Sequence, residues 1–308
     1  MLYKEFIEDV RKALFERMDN ITVIEDDILK NNGLHYPSLL IKEDGEKLGV
    51  NFYPYFLFLQ YARNEITISE IADKIIEAYK TEKHNFVWDI SILSDYEQIK
   101  YAIRGRLINT EKNKELLATL PHRDFLDLSI IYTLDVKPSK GHETGNIKIT
   151  NDLMNSWQIE EEILYQQMMA NMEILEEGTI NSMASIMEEI LGTDPMLEPS
   201  YFPMYVISNQ NKMHGAIEIL NKELLEKAST MLGGDFYIIP SSIHECILLP
   251  SQGNEADTVH FRSMVQEVND FHVANEEVLS YNLYRFRQET GEIELAAKEC
   301  LYQKQENL

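Results

Sequence analysis

A chain of 308 residues, 44% of them apolar and 26% charged, has enough core for two ordinary domains, and this composition excludes a disordered or fibrous protein. The 52 acidic and 28 basic residues leave a net charge of −24, which repels phosphate backbones and anionic lipid and argues against nucleic acid or membrane as a partner. Two cysteines, Cys246 and Cys300, make no disulfide framework and suit a reducing compartment, so the cytoplasm is the expected location.

The opening MLYKEFIEDVRKALFERM has charges every few residues, unlike a secretory signal. It places Leu2, Phe6, Val10, Ala13 and Leu14 on one face of a predicted helix. ITVIEDDIL alternates loosely as a strand would. SLLIKEDGEKLGVNFY sets Asp44-Gly45 between apolar runs, and that dipeptide tolerates the positive φ of a tight antiparallel hairpin. The most apolar run, Phe52 to Ala62, has eleven residues, well short of the roughly 20 that cross a bilayer, and is expected in the core. Thr67 and Glu70 form a capping box ahead of Ile71, Ile75, Ile76 and Tyr79. YEQIKYAIRGRLIN, NKELLATL and DFLDLSIIYTLDV then read as helix into strand, helix, and strand.

The composition breaks between Lys148 and Lys212. The 63 intervening residues hold no Lys, Arg or His, eleven acids and eight of the thirteen methionines. Residues 1–150 carry a net of −5 and residues 151–308 a net of −19. The predicted organisation is therefore an N-terminal α+β lobe, 1–150, then an acidic helical segment and a C-terminal α+β lobe, 151–308. Within the acidic stretch, Gln158–Leu175 reads as a helix covered on more than one side. Ile180, Met183, Met187, Ile190 and Leu191 repeat at helical spacing until Gly192 and Pro195 stop them. Beyond it, PMYVIS reads as a strand and KELLEKASTMLGG as a glycine-ended helix. DFYIIP and CILLP read as strands, DTVHFRSMVQEVND as a helix, and YNLYRFRQETGEIEL as a hairpin turning at Thr290-Gly291. NKELL occurs at 113–117 and at 221–225, each time ahead of an Asp-Phe and an apolar strand. Helices mixed with several hairpins make the class α+β.

Two short motifs invite a catalytic reading. His122-Arg123-Asp124 resembles a kinase catalytic loop, but Ser129 stands where that loop needs a metal-holding Asn, and a turn before a strand explains it with less. Ser241, Ser242, His244 and Glu245 cluster in PSSIHE without a GxSxG elbow or a second His for zinc, and a polar turn between strands explains them. Scattered histidines, unpaired cysteines and missing phosphate or dinucleotide fingerprints predict neither metal nor cofactor.

LPHRDFLDLSIIY, NQNKMHGAIEIL, GGDFYIIPSSIHECILLP and LSYNLYRFR together resemble a family of bacterial proteins classed as a domain of unknown function, from anaerobic gut-associated bacteria. The resemblance runs over most of the chain and implies a bacterial cytosolic protein. It brings no substrate, cofactor or active site.

The expected function is non-enzymatic binding of a basic, apolar protein or peptide through the acidic second half. A charge mimic of nucleic acid is a narrower form of the same idea. Methionine adapts to varied apolar partners, and acids around it attract a basic one. The expected contact residues are Met168, Met169, Met172, Met183 and Met187 with Glu160, Glu161 and Glu162. The alternative is a hydrolase-like enzyme using His122, Asp124, Ser241, Ser242, His244 or Glu245, which requires the HRD and SSIHE segments to meet.

Overall fold

The computed structural model describes residues 3–46, 48–85, 90–136, 145–175, 177–191, 203–240, 242–251 and 255–297. It is an α+β fold with three antiparallel sheets. Contacts group the chain into unit 1, Met1–Ile92 with Asp135–Asn146, and unit 2, Leu93–Leu134 with Ile147–Leu308. That grouping differs from lobes divided at 150. Residues 93–134 join the second half because their strands pack on the acidic helix, as described below.

In unit 1, helix α1 (Tyr3–Phe15) buries Phe6, Ile7, Val10 and Leu14, the face expected from their spacing. Strand β1 (Ile21–Leu29) pairs along its length with β2 (His35–Glu43), and β2 pairs with β3 (Val50–Phe52). Gly45 does adopt a positive φ of 86°, but the connection around it, 44–49, is wider than a tight turn. Thr22 Oγ1 donates to Asp44 at 2.7 Å and holds its entrance. Helix α2 (Tyr55–Ala62) corrects the expectation for the most apolar run, since none of its residues is fully buried. Leu57, Phe58 and Tyr61 lean on the core while Tyr55 and Phe56 stay exposed, because a helix covering one edge of a core has only one face to give it. Helix α3 (Ile68–Asn85) starts at the expected capping box. The Thr67 N–H donates to Glu70 Oε2 at 2.9 Å, and the Glu70 N–H donates to Thr67 Oγ1 at 3.3 Å. Its Ile71, Ala72, Ile75 and Tyr79 close the core against Leu39 and Ile41.

Unit 2 opens with α4 (Tyr96–Ile99), β4 (Ile103–Asn109) and the short α5 (Lys114–Leu117). His122–Phe125 is itself a strand, β5, rather than a turn before one, and it forms a hairpin with β6 (Leu128–Val136). Leu126 at φ 57° carries that turn. Strand β4 pairs along the other edge of β6, and the short β7 (Gly145–Lys148) also joins β6. Helix α6 (Asn151–Ser156), capped by Thr150 Oγ1, leads into α7 (Glu161–Leu175).

Helix α7 buries one row, Leu164, Met168 and Asn171, against β4. There Met168 fills the space over Gly105, where a Cβ would come within 2.9 Å of its sulfur. Asn171 Nδ2 donates to the carbonyls of Lys100 (2.8 Å) and Ile103 (2.9 Å).

Strand β8 (Gly178–Ser182) follows, so Ile180 is a strand residue opposite Ile207 and not part of the helix expected there. That helix, α8, is Met183–Leu191, and Gly192 and Pro195 lie outside the described residues. Next come β9 (Tyr205–Asn209), a 3-10 turn (Gly215–Leu220), α9 (Lys222–Leu232), β10 (Phe236–Ile239), β11 (Cys246–Pro250), α10 (Glu255–Phe271) and the hairpin β12 (Leu283–Arg287) to β13 (Glu292–Ala297). The sheet runs β13-β12-β10-β11-β9-β8, with Gly233 (φ 79°) ending α9 and Gly291 (φ 70°) turning the last hairpin. The two NKELL copies behave differently: Asn221 caps α9 through the Leu224 N–H, whereas Asn113 instead bonds the Asn109 carbonyl.

The two sheets of unit 2 are tied by one carboxylate. In the β5–β6 turn, Asp127 accepts from Ser280 Oγ and from Tyr284 Oη, each at 2.6 Å, and both donor residues are fully buried. Asp127→Ala leaves two buried hydroxyls unsatisfied and is expected to cost about 2–4 kcal/mol. Urea unfolding followed by Trp157 fluorescence in a Trp88→Phe background measures it, and a loss under about 0.5 kcal/mol, the level of an ordinary surface change, would contradict this role for Asp127.

Candidate functional site

Helix α7 begins with carboxylates and brings no cation of its own. Arg123 of β5 supplies one. Its guanidinium forms an ion pair with Glu161 at 2.8 Å and another with Glu162, and lies 3.9 Å from the centre of the Tyr165 ring. The buried Tyr132 hydroxyl also donates to Glu161. These contacts push the arginine further into its charged range, while burial and then Glu161 raise the Tyr132 phenol. Arg123, the member of the HRD segment given no site role by the sequence, joins that segment to Glu161 and Glu162. Glu161 and Glu162 are thereby internally paired, whereas Glu160 is exposed and has no ion pair among the described residues.

Each end of α7 walls a concavity. At its start is an open groove of about 680 Å³, lined by Tyr96, Trp157, Ile159 and Ile163 with Asp95 and Glu97. The Trp157 and Tyr96 rings lie 5.8 Å apart, and the indole N–H is fixed by the Leu93 carbonyl at 2.7 Å. Ile163 is 41% exposed, an apolar side chain facing solvent beside two aromatics. Glu97 pairs with Lys100 at 2.7 Å, whereas Asp95 caps α4 and has no cation among the described residues. Among the described residues, no basic side chain lines this groove.

Toward the other end of α7 is a more enclosed cleft of about 610 Å³, lined by Met169, Met172, Glu173, Gly178 and the first turns of α9, Asn221–Leu224 and Lys227. Its charges balance, two glutamates against two lysines. One layer behind the wall sits Glu218, 4% exposed on the 3-10 turn. Gly178 packs so closely on it that a Cβ there would lie 2.5 Å from Glu218 Oε2 and 2.2 Å from Leu224 Cδ1. The hydrogen bond of its carboxyl is a long one, 3.4 Å from Asn221 Nδ2. Burial, with Glu177 adding like charge, raises its pKa from 4.5 to about 7.

The methionines expected at a recognition surface divide. Met168 is a correction: at 1% exposure it is core. Met169 and Met172 line the cleft, Met183 is half-buried, and Met187 is exposed.

The catalytic candidates sit in ordinary local roles. Ser242 Oγ accepts from the His244 backbone N–H at 3.0 Å, a turn bond, and does not engage the imidazole. The ring's Nδ1 accepts from the His214 N–H at 3.1 Å, which puts the proton on Nε2, 3.5 Å from Glu277. Glu277 is thus an acid partner of His244. Ser241 lies outside the described residues. His122 Nδ1 meets the Leu120 carbonyl at 2.9 Å, and Asp124 is exposed on β5 opposite Ser129. No hydrogen bond or ion pair joins His122 or Asp124 to Ser242 or His244 among the described residues, and neither the groove nor the cleft is lined by any of the four. Nor do three His, Cys, Asp or Glu side chains gather there to hold a metal. No helix among them is long and apolar enough to cross a membrane.

The model of a family of unknown function, DUF5688, matches residues 3–288 of the chain. No curated protein and no solved structure matches the chain.

Glu218 makes the fold's stability depend on pH. Its folded pKa is raised, so its contribution is full below about pH 4.5 and is lost as pH rises through about 7. Glu218→Gln should remove that slope and leave the variant on the order of 3 kcal/mol more stable than the parent at pH 8. Parallel urea titrations at pH 5 and pH 8 check this, and equal slopes in parent and variant would rule it out.

Proposed function

The chain belongs to DUF5688, a family of unknown function, and for it we propose a binding role in which the groove at the start of α7 takes a peptide that is both basic and apolar. The observation that carries this reading is the groove's lining, two aromatic rings and two isoleucines beside Asp95, with no basic side chain among the described residues. A leucine-like side chain gains on the order of 2 kcal/mol by leaving water for such a floor. A lysine or arginine beside it finds Asp95 in the lining and the exposed Glu160 next to Ile159, neither of them ion-paired among the described residues, and the ring of Tyr96. The net charge of −24 steers such a partner inward from a distance and turns acidic competitors away. Non-enzymatic action follows from the same reading, in which His244 and Ser242 serve the β10–β11 connection.

Trp157 sits in the groove and can report on occupancy. With Trp88→Phe leaving it as the sole indole, a short amphipathic Leu/Lys peptide should change its emission, with affinity falling as salt rises. Asp95→Asn combined with Glu160→Gln should weaken binding about tenfold, and a Leu/Glu peptide of the same pattern should not bind. Equal affinity for the Leu/Lys and Leu/Glu peptides would sink the reading.

A further inference from the structure

The cleft at the other end of α7 contains a feature that peptide binding at the groove does not use. Glu218 is a buried carboxyl whose wall-side neighbours, Gly178, Asn221 and Leu224, are themselves the lining of that cleft. Asn221 does two jobs at once. Its Nδ2 reaches Glu218 at 3.4 Å, and its Oδ1 caps α9 by accepting from the Leu224 N–H at 3.2 Å. The α9 cap and the buried carboxyl are therefore one connected unit.

The surroundings favour a neutral acid. Of the charged groups on neighbouring elements, Glu177 just before β8 acts on Glu218 and has the same sign. Glu173 of α7, Lys222, Glu223 and Lys227 of α9, Arg104 and Arg106 of β4, and His244 beside the turn make no hydrogen bond or ion pair to it among the described residues. An ionised carboxylate in this place has no cation among the described residues to stabilise it and gains by reaching water. On the cleft side Gly178 and Leu224 pack closely on it: a Cβ on Gly178 would lie 2.5 Å from Glu218 Oε2 and 2.2 Å from Leu224 Cδ1. A carboxylate that moves toward the cleft must then shift the Leu224 side chain.

We infer that Glu218 is a proton-operated latch on the cleft between α7, β8 and α9: neutral, it holds Asn221 and the first turn of α9 closed against Gly178; ionised, it swings outward, loosens the cap and widens the cleft. The pKa near neutrality puts this change within the range cells experience. The inference is independent of the groove and would survive its failure.

Methyl-labelled methionine spectra of the full chain test it, because Met169 and Met172 line the cleft while Met168, buried over Gly105, is an internal control. Between about pH 6 and 8, Met169 and Met172 should titrate with a common midpoint while Met168 stays still. Glu218→Gln should hold both signals at their low-pH positions. Protection of the Leu224 amide, after correction for base-catalysed exchange, should fall by up to about tenfold per pH unit as pH approaches the midpoint from below, level off above it in the parent, and stay flat in the variant. Should Glu218→Gln fail to fold, Glu177→Gln decides the matter, since removing the like charge must move the midpoint to lower pH. A titration that persists in Glu218→Gln, a midpoint indifferent to Glu177→Gln, cleft methionines that do not titrate, or a Met168 signal that moves with them would overturn the latch.

Discussion

The acidic helix α7 has to borrow its cation, and the arrangement of unit 2 follows from where that cation comes from. Arg123 reaches it from β5, pairing with Glu161 and Glu162 and lying over Tyr165, while Tyr132 of β6 holds Glu161 from below. A partly buried pair of this kind is worth more than a surface ion pair, because the geometry is forked and the tyrosine satisfies a further lone pair. It also fixes the helix's position along the sheet. With its start clamped on β5 and its buried row seated on β4, α7 presents Ile163 to the groove and Met169 and Met172 to the cleft. One helix is thus a wall of both concavities. Asp127 does the companion task, tying the same β5–β6 hairpin to the larger sheet through Ser280 and Tyr284.

Much of this was legible in the sequence where the physics is local. The Thr67–Glu70 capping box, the helical face of α1, the glycine that ends α9, the hairpin at Thr290-Gly291 and the α+β class depend on neighbours a few residues apart, and the structure has them. The failures share a cause. The β5–β6 turn has Leu126 in a left-handed conformation that leucine disfavours, so no turn residue announces the hairpin. Ile180 fits the helical period of α8, and only pairing with Ile207 makes it a strand residue. Helix α2 has the hydropathy of a core element, yet a lone edge helix can bury only part of itself.

The site was less readable still. Segment 149–211 has no cation of its own, which suggested acids awaiting a partner; two of the three in Glu160–Glu162 are already matched by Arg123, 38 and 39 residues away in sequence. Asp95, Tyr96 and Trp157 carry no motif and converge only through the packing of α4 against the α6–α7 turn. Glu218 stands in GAIEILNKELL, where an alternating pattern gives no hint that the carboxyl points inward. Its neighbour Gly178 is the one trace, a glycine where a Cβ would crowd the Glu218 and Leu224 side chains, 40 and 46 residues away.

The central claim is that recognition belongs to the groove at the start of α7. Hydrogen exchange read by mass spectrometry, with and without the amphipathic Leu/Lys peptide, tests it most directly, because amides slow where a ligand restrains local opening. The account predicts added protection in residues 94–97 and 156–163 and none in the unit 1 strands. Protection concentrated elsewhere, or none at a peptide concentration that saturates the Trp157 signal, would contradict it.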